Sequence, residues 1–308
     1  VVSCSNYPTG YFNVYREVAQ QPVDAVLHLG DYIYEYAPGG YASANAEALG
    51  RVVEPATEIL TLADYRTRYA QYRSDPDLQA AHAAHPFIVV WDDHEIANDA
   101  WREGAENHDP ENEGEFSARR AAAIQAWYEW LPVRPPTSAE EIIYRRLPYG
   151  DLLDLIMLDT RVIGRDQQFV YPDFVNGGII DVDATRAAAG DSGRTLLGAQ
   201  QLAWLEEQLT GSTARWQILG QQVLMGRYAL PSPILEALEP SIGGDDTLAA
   251  GTAAVLAAVA AKNKAPGDRT LEEQMLLDSA IPYNLDAWDG YDFERNRVLD
   301  FAAQLGSR

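Results

Sequence analysis

Five short apolar runs, each ending in polar or chemically capable residues, constrain this chain more than anything else in it. They occupy residues 1–4, 23–29, 87–91, 152–158 and 216–219. The first ends at Cys4-Ser5-Asn6 and the second at Gly30-Asp31-Tyr32-Ile33-Tyr34-Glu35. The third ends at Asp92-Asp93-His94-Glu95, the fourth at Asp159-Thr160-Arg161 and the fifth at Gly220-Gln221-Gln222. Short apolar runs with few breakers read as buried strands. Ligands of α/β sheets collect outside the carboxyl ends of the strands, so five such ends point to a shared site more strongly than any one does.

Helical spacing fills the gaps. Leu62, Tyr65, Tyr69 and Tyr72 share a face, with Thr61 and Asp64 as a capping box. Ser117 is expected to cap a helix through Ala121, Ile124 and Trp127 that Pro132 ends. Leu202, Leu205 and Leu209 mark a helix stopped by Gly211, and Thr270 with Glu273 caps one leading to Leu276 and Leu277. Strands alternating with helices predict a layered α/β domain. Residues 103–115 are acidic and irregular, and 231–268 reads as an insertion or lid, a surface excursion being the alternative for each.

Composition narrows the chemistry. Lys+Arg is 23 against Asp+Glu 46, a net charge of −23, which excludes a broad basic nucleic-acid face and disfavours an anionic membrane surface. An acidic surface can hold hard cations. The one cysteine, Cys4, excludes an internal disulfide and a thiolate zinc cluster. The Ala-rich stretch 248–261 is too short to span a membrane. With 308 residues the core is large enough to need no staple. The chain opens in an apolar run without a basic leader, so either a signal peptide has been removed or the chain starts inside a longer protein.

Asp31 leaves a buried strand end, where it either caps the turn or binds a ligand. Tyr34, three residues on, can turn back to the same point. A carboxylate with a phenolate suits a trivalent metal, and a bound cation allows the phenol to ionise. Asp92 and Asp93 repel unless a cation or donors compensate, and only one of the two is expected to face the site. His94 is a candidate proton donor or ligand, and Asn98 and Asp99 can add oxygens. Cys4 is either a small buried hydrophobe or a thiolate ligand. His28 reads as a satisfied core histidine, His82 and His85 lack acidic neighbours, and His108 is expected to be solvated. A nucleotide-binding domain is disfavoured because no glycine-rich phosphate cradle surrounds Gly30, and no Gly-x-Ser-x-Gly elbow occurs.

In their order, Ser3-Cys4-Ser5-Asn6, His28-Leu29-Gly30-Asp31-Tyr32-Ile33-Tyr34-Glu35 and Trp91-Asp92-Asp93-His94-Glu95 resemble the alkaline phosphatase D (PhoD-type) family of metallophosphoesterases. Asp159-Thr160-Arg161, Gln200 to Leu205, Gly220 to Val223 and Trp288-Asp289-Gly290-Tyr291 extend the resemblance. It implies a metallophosphoesterase-like αββα sandwich with a binuclear metal site at the strand ends. Cys4 and Tyr34 then look like ligands of Fe3+, Asp31 like the bridging carboxylate, and Asp93 like a ligand of a harder Ca2+ site. His94 resembles the hydrogen-bonding acid beside that ligand, and Arg161 is a phosphate contact or a salt-bridge partner.

The activity so implied is hydrolysis of small phosphate monoesters or diesters by a metal-bridging hydroxide, with export to the periplasm or the extracellular space. A phospholipase D-like choice of lipid diesters and an inactive metal-binding domain are the alternatives. The family also carries a β domain ahead of the first strand and an Asp-x-His element after Trp-Asp-Gly-Tyr. Here the only histidine after His94 is His108. Residues 1–308 are therefore expected to be the catalytic core of a longer enzyme.

Overall fold

In the computed structural model, which describes residues 1–136, 142–238, 242 and 247–306, all five apolar runs contribute extended backbone, but to two different sheets. The second and third give β1 (Val26–His28) and β2 (Phe87–Val89), paired in parallel with Val26 opposite Phe87. The first run joins them through a single parallel bridge from Val2 to His28. The Val2 N–H donates to Leu27 O at 2.8 Å and the Leu29 N–H to Val2 O at 3.0 Å. The fourth run gives β4 (Leu153–Met157), paired in parallel with the fifth, strand Trp216–Gly220.

β3 (Arg145–Tyr149) has no counterpart in the sequence reading. Its residues, Arg-Arg-Leu-Pro-Tyr, show no apolar alternation, and it is a strand because it pairs antiparallel with β4. It lies at the edge of the order β3, β4, Trp216–Gly220, where a proline's missing N–H is tolerated. Arg146 reaches Asp154 of β4 at 2.6 Å.

The chain divides into two compact units, Val1–Gln167 with Leu197–Gln222, and Gln168–Leu196 with Val223–Ser307. In the first, both sheets share one apolar core: Val26, Val89, Leu155 and Met157 pack with Tyr65, Tyr69, Tyr72, Ile124 and Trp127. The three tyrosines form the inner face of helix Leu62–Arg73, which starts at the expected Thr61–Asp64 capping box. Tyr65 donates to Ile96 O at 2.5 Å, tying that helix to the segment after β2. Helix Phe116–Trp130 begins ahead of Ser117, with Glu115 at its N-cap. Gly114 turns the chain at φ +85°, and buried Phe116 rather than the serine hydroxyl anchors the first turn.

The second unit has a smaller core of Tyr171, Ile180, Leu235, Ile281 and Leu285. Val175–Asn176 and Ile179–Ile180 form a hairpin. Its Gly177-Gly178 turn has φ +62° and +83°, which the two-residue turn requires at both positions. Part of 231–268 is regular here, as helices Ser232–Leu238 and Thr247–Lys262; residues 239–241 and 243–246 lie outside the described residues. Among the described residues, no helix is long and apolar enough to cross a membrane.

Two outcomes follow from the first unit. Gly30 sits at φ +111°, and a Cβ there would lie 2.5 Å from the Asp92 backbone N. We expect Gly30→Ala to cost at least about 3 kcal/mol in urea unfolding; near-wild-type stability would show that the two turns can separate freely. His28 is fully buried, with Ser5 Oγ at 3.3 Å and Tyr15 OH at 3.0 Å. Burial pulls its proton affinity down to about 3, so the folded state binds fewer protons than the unfolded chain below the ordinary histidine range. Its stability is complete above about pH 6.5 and is lost as the pH falls, by up to about 1.4 kcal/mol per pH unit. Unfolding curves of His28→Gln between pH 7 and 4 should be flatter than wild type, and equal slopes would refute this.

Candidate metal centre

The site forms where three strand ends turn. Cys4 and Asp31, at the first two, lie in the left-handed backbone region with φ of 60° and 56°, and Asp99, further along the segment after β2, has φ of 51°. The Cys4 N–H donates to Gly30 O at 3.2 Å and the Ser5 N–H to Asp31 O at 2.8 Å, lacing the first turn to the second. Glu95, buried to 1% exposure, joins the second to the third. Its carboxylate accepts the N–H groups of Asp31 at 3.0 Å, Tyr32 at 2.5 Å and Asp92 at 2.7 Å.

These turns bring together residues far apart in sequence. Asp31, Asp93 and His94 are all buried, each with a possible ligand atom within 4.8 Å of the others. The Tyr34 hydroxyl donates to Asp31 Oδ2 at 3.0 Å, and its ring stacks on His94 at 4.2 Å between centroids. Asp31 Oδ1 is buried without a hydrogen-bond partner.

The charges in this region are unevenly compensated. Burial, then the charges of Asp92 and Asp93, push Asp31 well above the usual carboxylate range. Burial, then Asp31, also push the Tyr34 phenol far up. Cys4 is exposed as a residue, yet its thiol is raised to about 11 by partial burial, then by Asp31. Burial raises Asp93 too, but Arg161, His94 and the Asp99 N–H outweigh it and hold the group down. Burial lowers His94, and its hydrogen bond to Glu35 with the charge of Asp93 reverses that, carrying it up to about 10.

Arg161 is buried and turned onto the acidic tandem, with Nε 2.5 Å from Asp92 Oδ1 and Nη2 3.7 Å from Asp93 Oδ1. Its backbone is set by Asp159, whose Oδ1 accepts the N–H groups of Arg161 at 2.8 Å and Val162 at 2.9 Å. Gln201 brackets Asp159 by accepting its N–H at 2.8 Å and donating to its carbonyl at 2.7 Å. Gln222 takes the Thr160 hydroxyl at 2.6 Å. The polar ends of the fourth and fifth runs thus serve to aim one arginine.

The sequence reading named Cys4, Asp31, Tyr34, Asp93, His94 and Arg161, and the structure places all six in this one region. It overlooked Glu35 and Glu95, whose carboxylates are fully or almost fully buried. Their signal was position: each closes a motif, five residues after Gly30 and two after Asp93. His28 is a satisfied core residue, as expected. The His108 expectation fails: its side chain is 1% exposed, beside Glu113 at 3.1 Å and Gly114 O at 3.0 Å. Trp288-Asp289-Gly290-Tyr291 belongs to the second unit, where Asp289 accepts the Tyr228 N–H at 2.8 Å.

This chain resembles known proteins in sequence and in fold. The chain is 35% identical over 306 residues to alkaline phosphatase D of Bacillus subtilis (strain 168), covering 97% of this chain and 42% of that protein. It superposes on the solved structure of PhoD with a TM-score of 0.71 at 35% identity, covering 99% of this chain and 48% of the other. The chain thus spans just under half the length of these relatives. Residues 1–308 match the family model for PhoD-like phosphatase, and the chain belongs to that family.

Proposed function

We propose that the chain forms the metal-binding core of a phosphate ester hydrolase that works with Fe3+ and Ca2+ on a metallophosphoesterase-like sandwich. The observation that carries this reading is Asp31. Its Oδ1 is buried and unpartnered, in a pocket where neighbouring carboxylates already disfavour its charge. A buried anion without a partner is costly, and a cation between Asp31 and Asp93 removes that cost. The donor set fits two different cations. The thiol of Cys4 and the phenol of Tyr34 suit a redox metal, and the oxygens of Asp93 suit a hard one. Asp31, adjacent to both groups, is the residue able to serve both.

Once bound, the metals supply positive charge that offsets the substrate's phosphate and lowers the pKa of water. The chain's own residues do the rest. Arg161 fixes Asp92 and Asp93 and prevents the tandem from splaying. Tyr34 limits rotation of the His94 ring by stacking on it. His94, held by Glu35, gives a hydrogen bond to the phosphoryl oxygens or a proton to the departing alcohol. The Glu95 carboxylate keeps the Asp31 and Asp92 turns at fixed separation.

Two measurements test this. Metal analysis and a visible spectrum of the full-length protein should show iron with calcium and an absorption band that Tyr34→Phe abolishes. An iron-free, colourless protein with full phosphatase activity would eliminate the roles given to Cys4 and Tyr34. Asp31→Asn, nearly isosteric and suited to the same backbone conformation, should keep the fold by circular dichroism. It should lose metal and lower kcat by roughly 10²–10³-fold, the scale of removing one charge-stabilising group.

A further inference from the structure

The acidic 103–115 segment is tied to His94 through a second carboxylate. The Asn107 N–H donates to Asn98 O at 3.3 Å, and Arg119 Nη1 donates to Asn107 O at 2.8 Å, so Asn107 is fixed from both sides. Its side-chain Nδ2 donates to Glu35 Oε1 at 3.0 Å. The same oxygen accepts the Asn98 N–H at 2.7 Å. With Oε1 occupied, Oε2 of Glu35 faces His94 Nδ1 at 2.7 Å. The Glu35 side chain is 0% exposed, so no water competes for that bond. A carboxylate accepts and does not donate, which puts the proton of this bond on Nδ1. Nε2 is then the ring nitrogen left for chemistry.

Resting on the hydrolase reading above, we propose that Glu35 and Asn107 are positioning residues for His94. Glu35 keeps the proton on Nδ1 and aims Nε2 toward the departing group, and Asn107 acts one step further out by holding Glu35. His94 enters the step with a proton on each ring nitrogen: as the bond from phosphorus to the leaving oxygen breaks, Nε2 gives that oxygen its proton, and the ring is left neutral with its Nδ1 proton on the Glu35 side. A carboxylate orienting a histidine in this way matters most when the leaving group is a poor one. Glu35→Gln replaces the acceptor with an amide that can donate to Nδ1, so a proton on Nδ1 is no longer favoured and the neutral ring that results is a much weaker acid at Nε2.

The test compares two phosphodiesters that differ only in leaving group, one releasing 4-nitrophenol and one a primary alcohol, on the full-length metal-loaded protein. For Glu35→Gln we expect kcat on the alkyl ester to fall about 100-fold or more, with less than about 10-fold on the nitrophenyl ester and KM nearly unchanged. Asn107→Leu should show the same pattern at about 10-fold on the alkyl ester. Equal losses on both esters, or none, would overturn the proposal. An independent readout is the imidazole 15N spectrum of the metal-free protein. His94 should have Nδ1 protonated in wild type and not in Glu35→Gln at the same pH, and an Nδ1 protonated alike in both would overturn the assignment. If wild-type protein with its metals hydrolyses neither ester, the hydrolase reading fails, and the 15N result alone decides whether Glu35 positions His94.

Discussion

One buried carboxylate holds the centre together. Glu95 gathers three backbone N–H groups from two turns that lie some sixty residues apart in sequence. Backbone donors at strand ends have no ladder partner and must be satisfied by something else. Here that obligation is met by a side chain rather than by water, and the result is rigid geometry where two candidate ligands leave the sheet. The spacing between Asp31 and Asp93 is therefore set by the fold, before any ion arrives.

Around that clasp the charges divide into compensated and uncompensated groups. Asp92 and Asp93 face Arg161, whose own placement depends on the turn at Asp159 and on two glutamines. His94 faces Glu35. Asp31 has a buried oxygen with nothing opposite it, in a ring of acidic and phenolic neighbours. Low dielectric strengthens the favourable pairs and raises the cost of an unpaired charge alike. The same burial that makes His94 and Asp93 well defined disfavours the ionised form of Asp31.

Much of this was legible in the sequence because strand ends and chemistry coincide. Asp31, Asp93, His94 and Arg161 stand directly after apolar runs, and pattern reading finds such residues. Two kinds of feature escaped it. β3 became a strand through pairing with β4, which no local pattern of Arg145, Arg146 and Pro148 announces. Glu35 and Glu95 bury their charge against donors supplied by distant turns, while the usual expectation for a glutamate in a loop is exposure. His108 misled for the same reason: the surroundings in sequence are acidic, but Glu113 and the Phe116 ring enclose it in space.

The left-handed turns carry a further implication for how this sequence can drift. Cys4, Asp31 and Asp99 occupy a backbone region that glycine tolerates best and aspartate or asparagine next. Replacing Asp31 by glycine would relieve both its backbone and its crowded charge, and so would favour folding while erasing a candidate ligand. Selection for stability alone therefore pulls these turns toward inert residues. That Asp31 and Cys4 nevertheless stand there makes them the positions where folding and chemistry are most directly opposed, and where neutral change should be rarest.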